Sequence, residues 1–146
     1  MRSIICSLLV PVCLTMIMVG CASGPKYKDI AAEIPPVPQS QGRIYFYRDG
    51  SPVGSAIQPP IYLNGDKVGK SVPGGFFYVD RQPGEYKVKT STEVERILTF
   101  MLADQEKKYV RTKVSIGLIV GHVLPILEDE EEALKTLNKS AYIGDK

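Results

Sequence analysis

The sequence predicts a mostly β domain, a single small β-sandwich of about seven or eight strands with one C-terminal helix. From residue 42 onward, short apolar runs with period-two alternation recur, and Gly and Pro turn signals separate them about every ten residues. The one convincing helical pattern comes near the end of the chain. An apolar leader and a proline-rich stretch precede this part, so the predicted layout is residues 1–20, 21–41 and 42–146.

Residues 1–20 have the pattern of an export signal. Arg2 supplies a positive start, and residues 4–19 are almost entirely apolar and carry no charge. This apolar run of about 16 residues is shorter than the ~20 that span a bilayer, and Pro11 interrupts it. An uncleaved transmembrane anchor is the alternative interpretation, but the sequence favours a signal peptide.

The signal ends in Met18-Val19-Gly20-Cys21, which resembles the lipobox of bacterial lipoproteins, although Met18 stands where Leu is usual. The resemblance implies a diacylglyceryl group on Cys21, cleavage after Gly20 and acylation, for example with palmitate, of the new amino terminus. Two or more acyl chains hold a protein firmly in a membrane. Ala22, where Asp would favour retention in the inner membrane, points to the outer membrane. We therefore expect a lipid-anchored protein of the bacterial cell envelope, on the periplasmic face of the outer membrane.

Cysteine content and charge exclude several function classes. Cys6 and Cys13 lie within the signal and Cys21 would carry lipid, so the mature chain has no thiol for a disulfide or a metal site. The 18 Lys and Arg residues nearly balance 16 acidic residues, which gives no indication of a nucleic-acid partner. We expect no cofactor, no metal and no nucleic acid.

Residues 21–41 are expected to form a lipidated spacer. Pro25, Pro35, Pro36 and Pro38 favour extended backbone. Such a spacer would lift the domain clear of the lipid headgroups. A proline-rich recognition motif is the alternative interpretation of this stretch.

Strand predictions follow from alternation along the chain. In residues 43–48, Ile44 and Phe46 share one face, while Arg43, Tyr45 and Tyr47 share the other. The Asn64-Gly65 pair predicts a tight hairpin turn, because these residues tolerate positive φ. Residues 116–127, the most apolar stretch of the mature chain, are expected to form a buried strand or a bent pair. Further strands are predicted at 57–63, 67–70, 76–79, 85–90, 94–102 and 108–116.

Residues 128–138 are predicted to form the helix. Acidic residues crowd its start and Lys135 lies near its end, which suits the helix dipole. Ala133, Leu134 and Leu137 form a narrow apolar stripe that could dock on the sandwich.

The order of these features resembles a known family. The strand at 43–48, the Asn-Gly hairpin at 61–69, the aromatic run at 75–79 and the Pro-Gly turn and strand at 83–88 resemble the bacterial lipoprotein family called domain of unknown function 2846. The resemblance extends from about residue 42 to residue 138, and the middle portion also resembles PEGA-type surface β-modules. These motifs consist of turn glycines and core positions, so the resemblance implies a fold and a location but no reaction.

Residues that could carry chemistry are few. His122 is the only histidine and lies in an apolar run, which favours a core or rim position over catalysis. The acidic run at 128–132 lacks the spacing of a calcium loop and suits a solvated helix start. An enzyme or a small-ligand-binding lipoprotein with unrecognised chemistry is the alternative, but no catalytic residue is predicted.

A possible partner-binding face is predicted from the outward side of two strands. If Ile44 and Phe46 face the core, neighbouring Tyr and Arg side chains are expected to face solvent, where these residue types are enriched at binding surfaces. The alternative is that tyrosine simply forms strands well. We therefore expect a non-enzymatic binding or structural module, with another envelope protein or peptidoglycan as the partner. The predicted face consists of Arg43, Tyr45, Tyr47, Tyr109 and Arg111.

Overall fold

A computed structural model describes residues 22–91, 96–116 and 121–144. The predicted signal peptide and Cys21 lie outside these ranges. The described part of the chain forms nine strands and two short helices. These are α1 (Tyr27–Ile30), β1 (Gly42–Tyr47), β2 (Pro60–Leu63), β3 (Asp66–Lys70), β4 (Gly75–Arg81), β5 (Gly84–Thr90), β6 (Ile97–Leu102), β7 (Lys107–Ile116), β8 (Gly121–Glu128), α2 (Glu130–Leu137) and β9 (Ala141–Tyr142).

The strands form two layers, which confirms the predicted mostly β, sandwich-like class. A five-stranded sheet has the order β8-β7-β1-β4-β9, and a four-stranded sheet has the order β3-β2-β5-β6. Strand β1 lies at the centre of the larger sheet, antiparallel to β4 and parallel to β7. The smaller sheet is antiparallel throughout.

The main hydrophobic core lies between the two sheets. Ile44 and Phe46 are fully buried there, as alternation in β1 predicts. Burying each large apolar side chain contributes about 1.5–3 kcal/mol, so this layer is the chief source of stability. Its other buried members are Ile61, Leu63, Phe77, Val88, Phe100, Leu102 and Val110.

The predicted Asn-Gly hairpin joins β2 to β3. Asn64 and Gly65 have φ values of 50° and 91°, the left-handed pair that a tight antiparallel turn requires. The Asn64 side chain also accepts a 2.8 Å hydrogen bond from the backbone N–H of Lys87. This bond fixes the turn to β5. Strand β2 begins at Pro60, three residues later than predicted.

Strands β7 and β8 form a long antiparallel hairpin. The apolar stretch at 116–127 therefore belongs to a pair of strands, the second of the two arrangements predicted, although the pairing shows no irregularity that would mark a bend. Residues 117–120 lie outside the described ranges. Pro125 is tolerated because β8 lies at the edge of its sheet. In the described ranges, no helix is long and apolar enough to cross a bilayer.

Helix α2 docks on the outer side of the five-stranded sheet. The Asp129 carboxylate caps it by accepting a 2.9 Å hydrogen bond from the backbone N–H of Glu132. This cap sets the start of the helix two residues later than predicted. Ala133 and Leu137 are fully buried, which confirms that the apolar stripe packs against the sandwich.

The prediction of a free spacer at residues 21–41 is wrong for the described residues 22–41. The backbone N–H of Tyr27 donates a 2.9 Å hydrogen bond to Ser140, and that of Tyr142 donates one of 2.9 Å to Pro25. Ile30 and Ile34 pack beside α2 and the outer side of the five-stranded sheet. Pro35, Pro36 and Pro38 lie outside helices and strands, but the apolar side chains that precede them dock the segment. The folded domain therefore begins near residue 22.

Candidate binding faces

The five residues predicted as a partner face do lie together. Parallel pairing of β1 with β7 sets Tyr45 beside Tyr109 and Tyr47 beside Arg111. Arg43 lies on the same side, two residues before Tyr45. We call this outer side of the five-stranded sheet the covered face. Its members are Arg43, Tyr45, Tyr47, Tyr109 and Arg111.

The prediction that these side chains face solvent is wrong. Four of them are only 2–3% exposed, and Arg111 is half-buried. Helix α2 and the docked N-terminal segment lie over them, so the occupant of this face is the protein's own chain. The members that are nearly fully buried are Arg43, Tyr45, Tyr47 and Tyr109.

Aromatic packing makes the covered face a second core. The rings of Tyr45 and Tyr109 are stacked, with centroids 5.2 Å apart and an interplanar angle of 8°. Tyr27, from α1, presents its edge to Tyr45 at 6.0 Å. Each such ring pair adds about 0.5–1.5 kcal/mol beyond area burial. Burial, followed by the neighbouring Tyr45, raises the pKa of Tyr27 to about 12.

Tyrosine hydroxyls tie the covered face to carboxylates at the end of β8 and at the start of α2. The Tyr47 hydroxyl donates a 2.5 Å hydrogen bond to Glu128, and the Tyr109 hydroxyl donates one of 2.7 Å to Glu130. Burial and these carboxylate partners raise the pKa of both tyrosines well above the usual value. The two phenols therefore stay neutral and act as hydrogen-bond donors.

Arg111 joins three elements at one margin of the covered face. It donates to Asp49 at 2.9 Å and to Glu128 at 3.2 Å. Hydrogen bonding to Asp49 raises the pKa of Arg111, partly opposed by burial. Burial disfavours the Asp49 carboxylate, but hydrogen bonds from Arg111 and Ser51 outweigh it and lower the pKa of Asp49. The network connects the loop after β1 to β7 and to the end of β8.

Arg43 fastens the N-terminal segment at the opposite margin. Its guanidinium forms two hydrogen bonds with the Asp80 carboxylate, of 2.7 and 2.8 Å, and a third of 2.7 Å with the carbonyl of Pro35. It also lies 4.2 Å from the ring centroid of Tyr78. Such bidentate pairing is directional as well as strong, so Arg43 acts as a structural clamp.

Arg48 is a structural residue that sequence reasoning missed. It is only 1% exposed and donates to the carbonyls of Gly54, Ile57 and Ser71, at 2.7, 2.6 and 3.2 Å. Burial lowers its pKa. Alternation in β1 was the available signal, because Arg48 continues the inward series of Ile44 and Phe46. It holds the loop after β1 against the segment after β3.

The outer side of the four-stranded sheet is exposed to solvent and carries charged and apolar side chains. Tyr62 pairs with Lys67 on β3 and with Lys89 on β5, and Lys89 pairs with Ile97 on β6. Ile97 is 58% and Met101 61% exposed. A shallow recess of about 650 Å³ runs along β2 and β5. We call this surface the open face, formed by Tyr62, Lys67, Glu85, Lys87, Lys89, Ile97, Thr99 and Met101.

Alternation in β5 and β6 could have indicated the open face. Glu85, Lys87 and Lys89 are outward, as the sequence predicts, while Leu98 and Phe100 pack inward. The intervening residues of β6 must then point outward. The binding-face prediction missed them because it favoured Tyr and Arg over Lys and Met.

His122 lies on β8 opposite Ser115, partly buried, and its buried Nδ1 has no hydrogen-bond partner. This placement agrees with the predicted rim position. In the ranges that the structure describes, no three His, Cys, Asp or Glu side chains gather as a metal site. The predicted lipid-attachment residue, Cys21, lies outside those ranges.

The fold and its faces define a two-layer β-sandwich in which one outer face is covered by the chain and the other is exposed. A family profile described as "Protein of unknown function (DUF2846)" matches residues 38–123, more than half of the chain. The chain belongs to this family, which confirms the part of the resemblance that concerns domain of unknown function 2846.

A relative from Haemophilus influenzae, named "Uncharacterized protein", is 31% identical over 97 residues, covering 66% of this chain and 57% of the relative. The chain therefore matches less than two thirds of that relative's length. No solved structure matches the chain.

Proposed function

We propose that the protein is a lipid-anchored component of the bacterial envelope and that its domain is a non-enzymatic binding module. The observation that carries this proposal is the exposed mixture of lysine and apolar side chains on the open face. The anchor is supported by the uncharged apolar run at 4–19 and by the lipobox-like sequence ending at Cys21. The proposed location, the periplasmic face of the outer membrane, is supported by Ala22, which stands where Asp would favour retention in the inner membrane.

The open face suits a protein partner that presents both acidic and apolar groups. Among the described residues of this face are three lysines, Lys67, Lys87 and Lys89, and one carboxylate, Glu85, which lies 3.8 Å from Lys87. Exposed Ile97 and Met101 offer apolar contact area beside them. Charged groups steer the approach of a complementary partner, and apolar area at the centre of the contact supplies binding energy.

Peptidoglycan is the second candidate partner. Its carboxylates would suit the lysines, but a polar polymer makes little use of the exposed Ile97 and Met101 side chains. A small ligand is the third, since the recess lined by Tyr62, Lys87 and Ile97 has room for one. Small-ligand sites are usually enclosed, whereas this recess is an open groove on a sheet surface, so an extended partner fits it better.

The anchor is tested by labelling cells with palmitate. The wild-type protein should incorporate label and be processed, while Cys21→Ser should do neither, because the hydroxyl is a far weaker nucleophile than the thiolate. Immunoblotting checks that both forms are present. Palmitate label in the Cys21→Ser protein would contradict lipid attachment at this residue.

The open face is tested by photocrosslinking in cells. A photoreactive residue at Thr99 should yield a defined adduct with one envelope protein, whereas one at Asp104, in the turn after β6, should not. Lys87→Glu should abolish the Thr99 adduct, because it places a carboxylate against the acidic partner. Lys139→Glu, the same charge change at an exposed site after α2, is the matched control and should retain the adduct.

Immunoblots of the membrane fraction confirm equal levels of the variants. An adduct that survives Lys87→Glu would contradict binding through the open face. Adducts with muropeptides but with no protein would show that the partner is peptidoglycan rather than a protein.

A further inference from the structure

We infer that the end of the sandwich from which the chain leads to Cys21 lies directly against the lipid headgroups, with no spacer between the lipid and the domain. The inference rests on the proposed lipid anchor and adds an orientation to it. The surface concerned consists of the loop after β1 and the segment between β3 and β4.

The docked N-terminal segment carries the first step of the argument. Tyr27 and Tyr142 tie it to the domain through backbone hydrogen bonds with Ser140 and Pro25. The backbone N–H of Ala22 donates to the carbonyl of Pro73, at 3.4 Å. Cys21 immediately precedes Ala22. One residue spans at most about 3.8 Å between Cα atoms, so an acylated Cys21 leaves the domain almost no room to move away from the bilayer.

Backbone hydrogen bonds identify the end of the sandwich that is involved. Gly74, next to Pro73, donates to the carbonyl of Asp49 at 3.1 Å, and Ser71 donates to Pro59 at 2.9 Å. These bonds bring the segment 71–74 beside the loop that follows β1. The hairpin turn at Asn64-Gly65 and the turn at 103–106 lie at the opposite end, beyond the first residues of β1.

The exposed side chains at this end suit an anionic phospholipid surface. Val53 is 50% exposed on the loop after β1 and can enter the headgroup layer. The exposed basic residues Lys70, Arg96 and Lys113 lie at or just beyond the last strand pairings at this end. Basic residues near a membrane are attracted by its negative surface potential.

Among the described residues, the carboxylate next to this end is already paired. Asp49, at the membrane-facing end, is paired with Arg111 at 2.9 Å, so its charge is offset. Asp66 and Asp104 are exposed in the turns at the opposite end. The short distance from Cys21 to the docked segment therefore sets the orientation, and the described basic side chains at this end are compatible with it.

The test uses the lipidated full chain in phosphatidylethanolamine–phosphatidylglycerol vesicles that carry a headgroup quencher. An environment-sensitive fluorophore is attached at Val53→Cys or, as the matched control, at Asp104→Cys. Acylated Cys21 cannot react with it. We expect the fluorophore at Val53→Cys to show a blue-shifted and quenched emission. The fluorophore at Asp104→Cys should show neither the shift nor the quenching. The two sites are separated by at least the six residues of β1, about 20 Å.

A third variant inserts a Gly/Ser linker of about 20 residues, long enough to span some tens of ångströms, between Ala22 and Ser23. This insertion should abolish quenching at Val53→Cys. Quenching that survives it would overturn the role of the docked segment in setting the orientation.

The vesicle assay also separates the two proposals. Protein that fails to partition into the vesicles would contradict the lipid anchor itself. Protein that partitions but shows equal, unquenched emission at both sites would leave the anchor intact and overturn the inferred orientation.

Discussion

The two outer faces of the sandwich are formed by strands with similar alternating sequences, but one face is buried and the other is exposed to solvent. On the five-stranded sheet, Tyr45 and Tyr47 point away from the main core and are buried again beneath α2 and the N-terminal segment. On the four-stranded sheet, the equivalent outward positions of β5 hold Glu85 and Lys87, which stay in solvent. Alternation therefore tells which side of a strand a residue occupies, and the residue type tells whether a second layer covers that side.

The elements that cover the five-stranded sheet flank the family-matched region in sequence. The profile matches residues 38–123, whereas the docked N-terminal segment precedes it and α2 follows it. In this chain, strands of the matched region thus present an aromatic side that these two flanking elements cover. The open face lies wholly within the matched region.

The largest expected difference between the faces concerns a single tyrosine on each. Tyr45→Ala should lower the free energy of unfolding by about 3–5 kcal/mol, the usual cost of truncating a buried aromatic side chain. Tyr62→Ala, on the open face, should cost about 1 kcal/mol. Urea denaturation of both variants measures the difference. Equal midpoints would contradict the burial of the covered face.

Ion pairs offer a second contrast. The Arg43–Asp80 pair is mostly buried, whereas Lys87 and Glu85, 3.8 Å apart, are more than half exposed. Asp80→Asn should cost about 3 kcal/mol because it leaves the Arg43 charge buried without a counter-charge. Glu85→Gln should cost less than about 1 kcal/mol. A small effect of Asp80→Asn would show that solvent reaches Arg43.

The sequence was informative where local patterns decide the structure. The Asn64-Gly65 turn, the helix near the C-terminus and the inward series of Ile44 and Phe46 all follow from short-range rules. The cover over Tyr45 depends on contacts between residues far apart in sequence, such as those of α1 with β1. No period or turn signal encodes such a contact. A cluster of outward tyrosines on a predicted strand was the available clue.

The covered face should also make stability fall at alkaline pH. The pKa values of Tyr47 and Tyr109 are raised in the folded protein. Their contribution is therefore fully present below the pKa of unfolded tyrosine, about 10, and is lost as pH rises above it. The loss should approach about 1.4 kcal/mol per pH unit for each tyrosine.

Urea denaturation between pH 8 and about pH 11, with phenolate absorbance as a second signal, checks this expectation. Tyr47→Phe should make the fall in stability shallower. Complete titration of all eight tyrosines while the circular dichroism remains native would contradict it.

The smallest expected effect on stability is that of Ile97→Ser on the open face. This variant tests binding separately from folding. Ile97 is 58% exposed, so Ile97→Ser removes little buried area and should change the free energy of unfolding by less than about 0.5 kcal/mol. The same substitution removes apolar contact area from the proposed interface and should weaken the crosslink at Thr99. Leu127→Ser, which changes an exposed apolar residue of β8 outside the open face, is the control and should leave that crosslink intact. A large loss of stability in Ile97→Ser would show that this side chain supports the fold. An unchanged crosslink at Thr99 would show that Ile97 is not part of the interface.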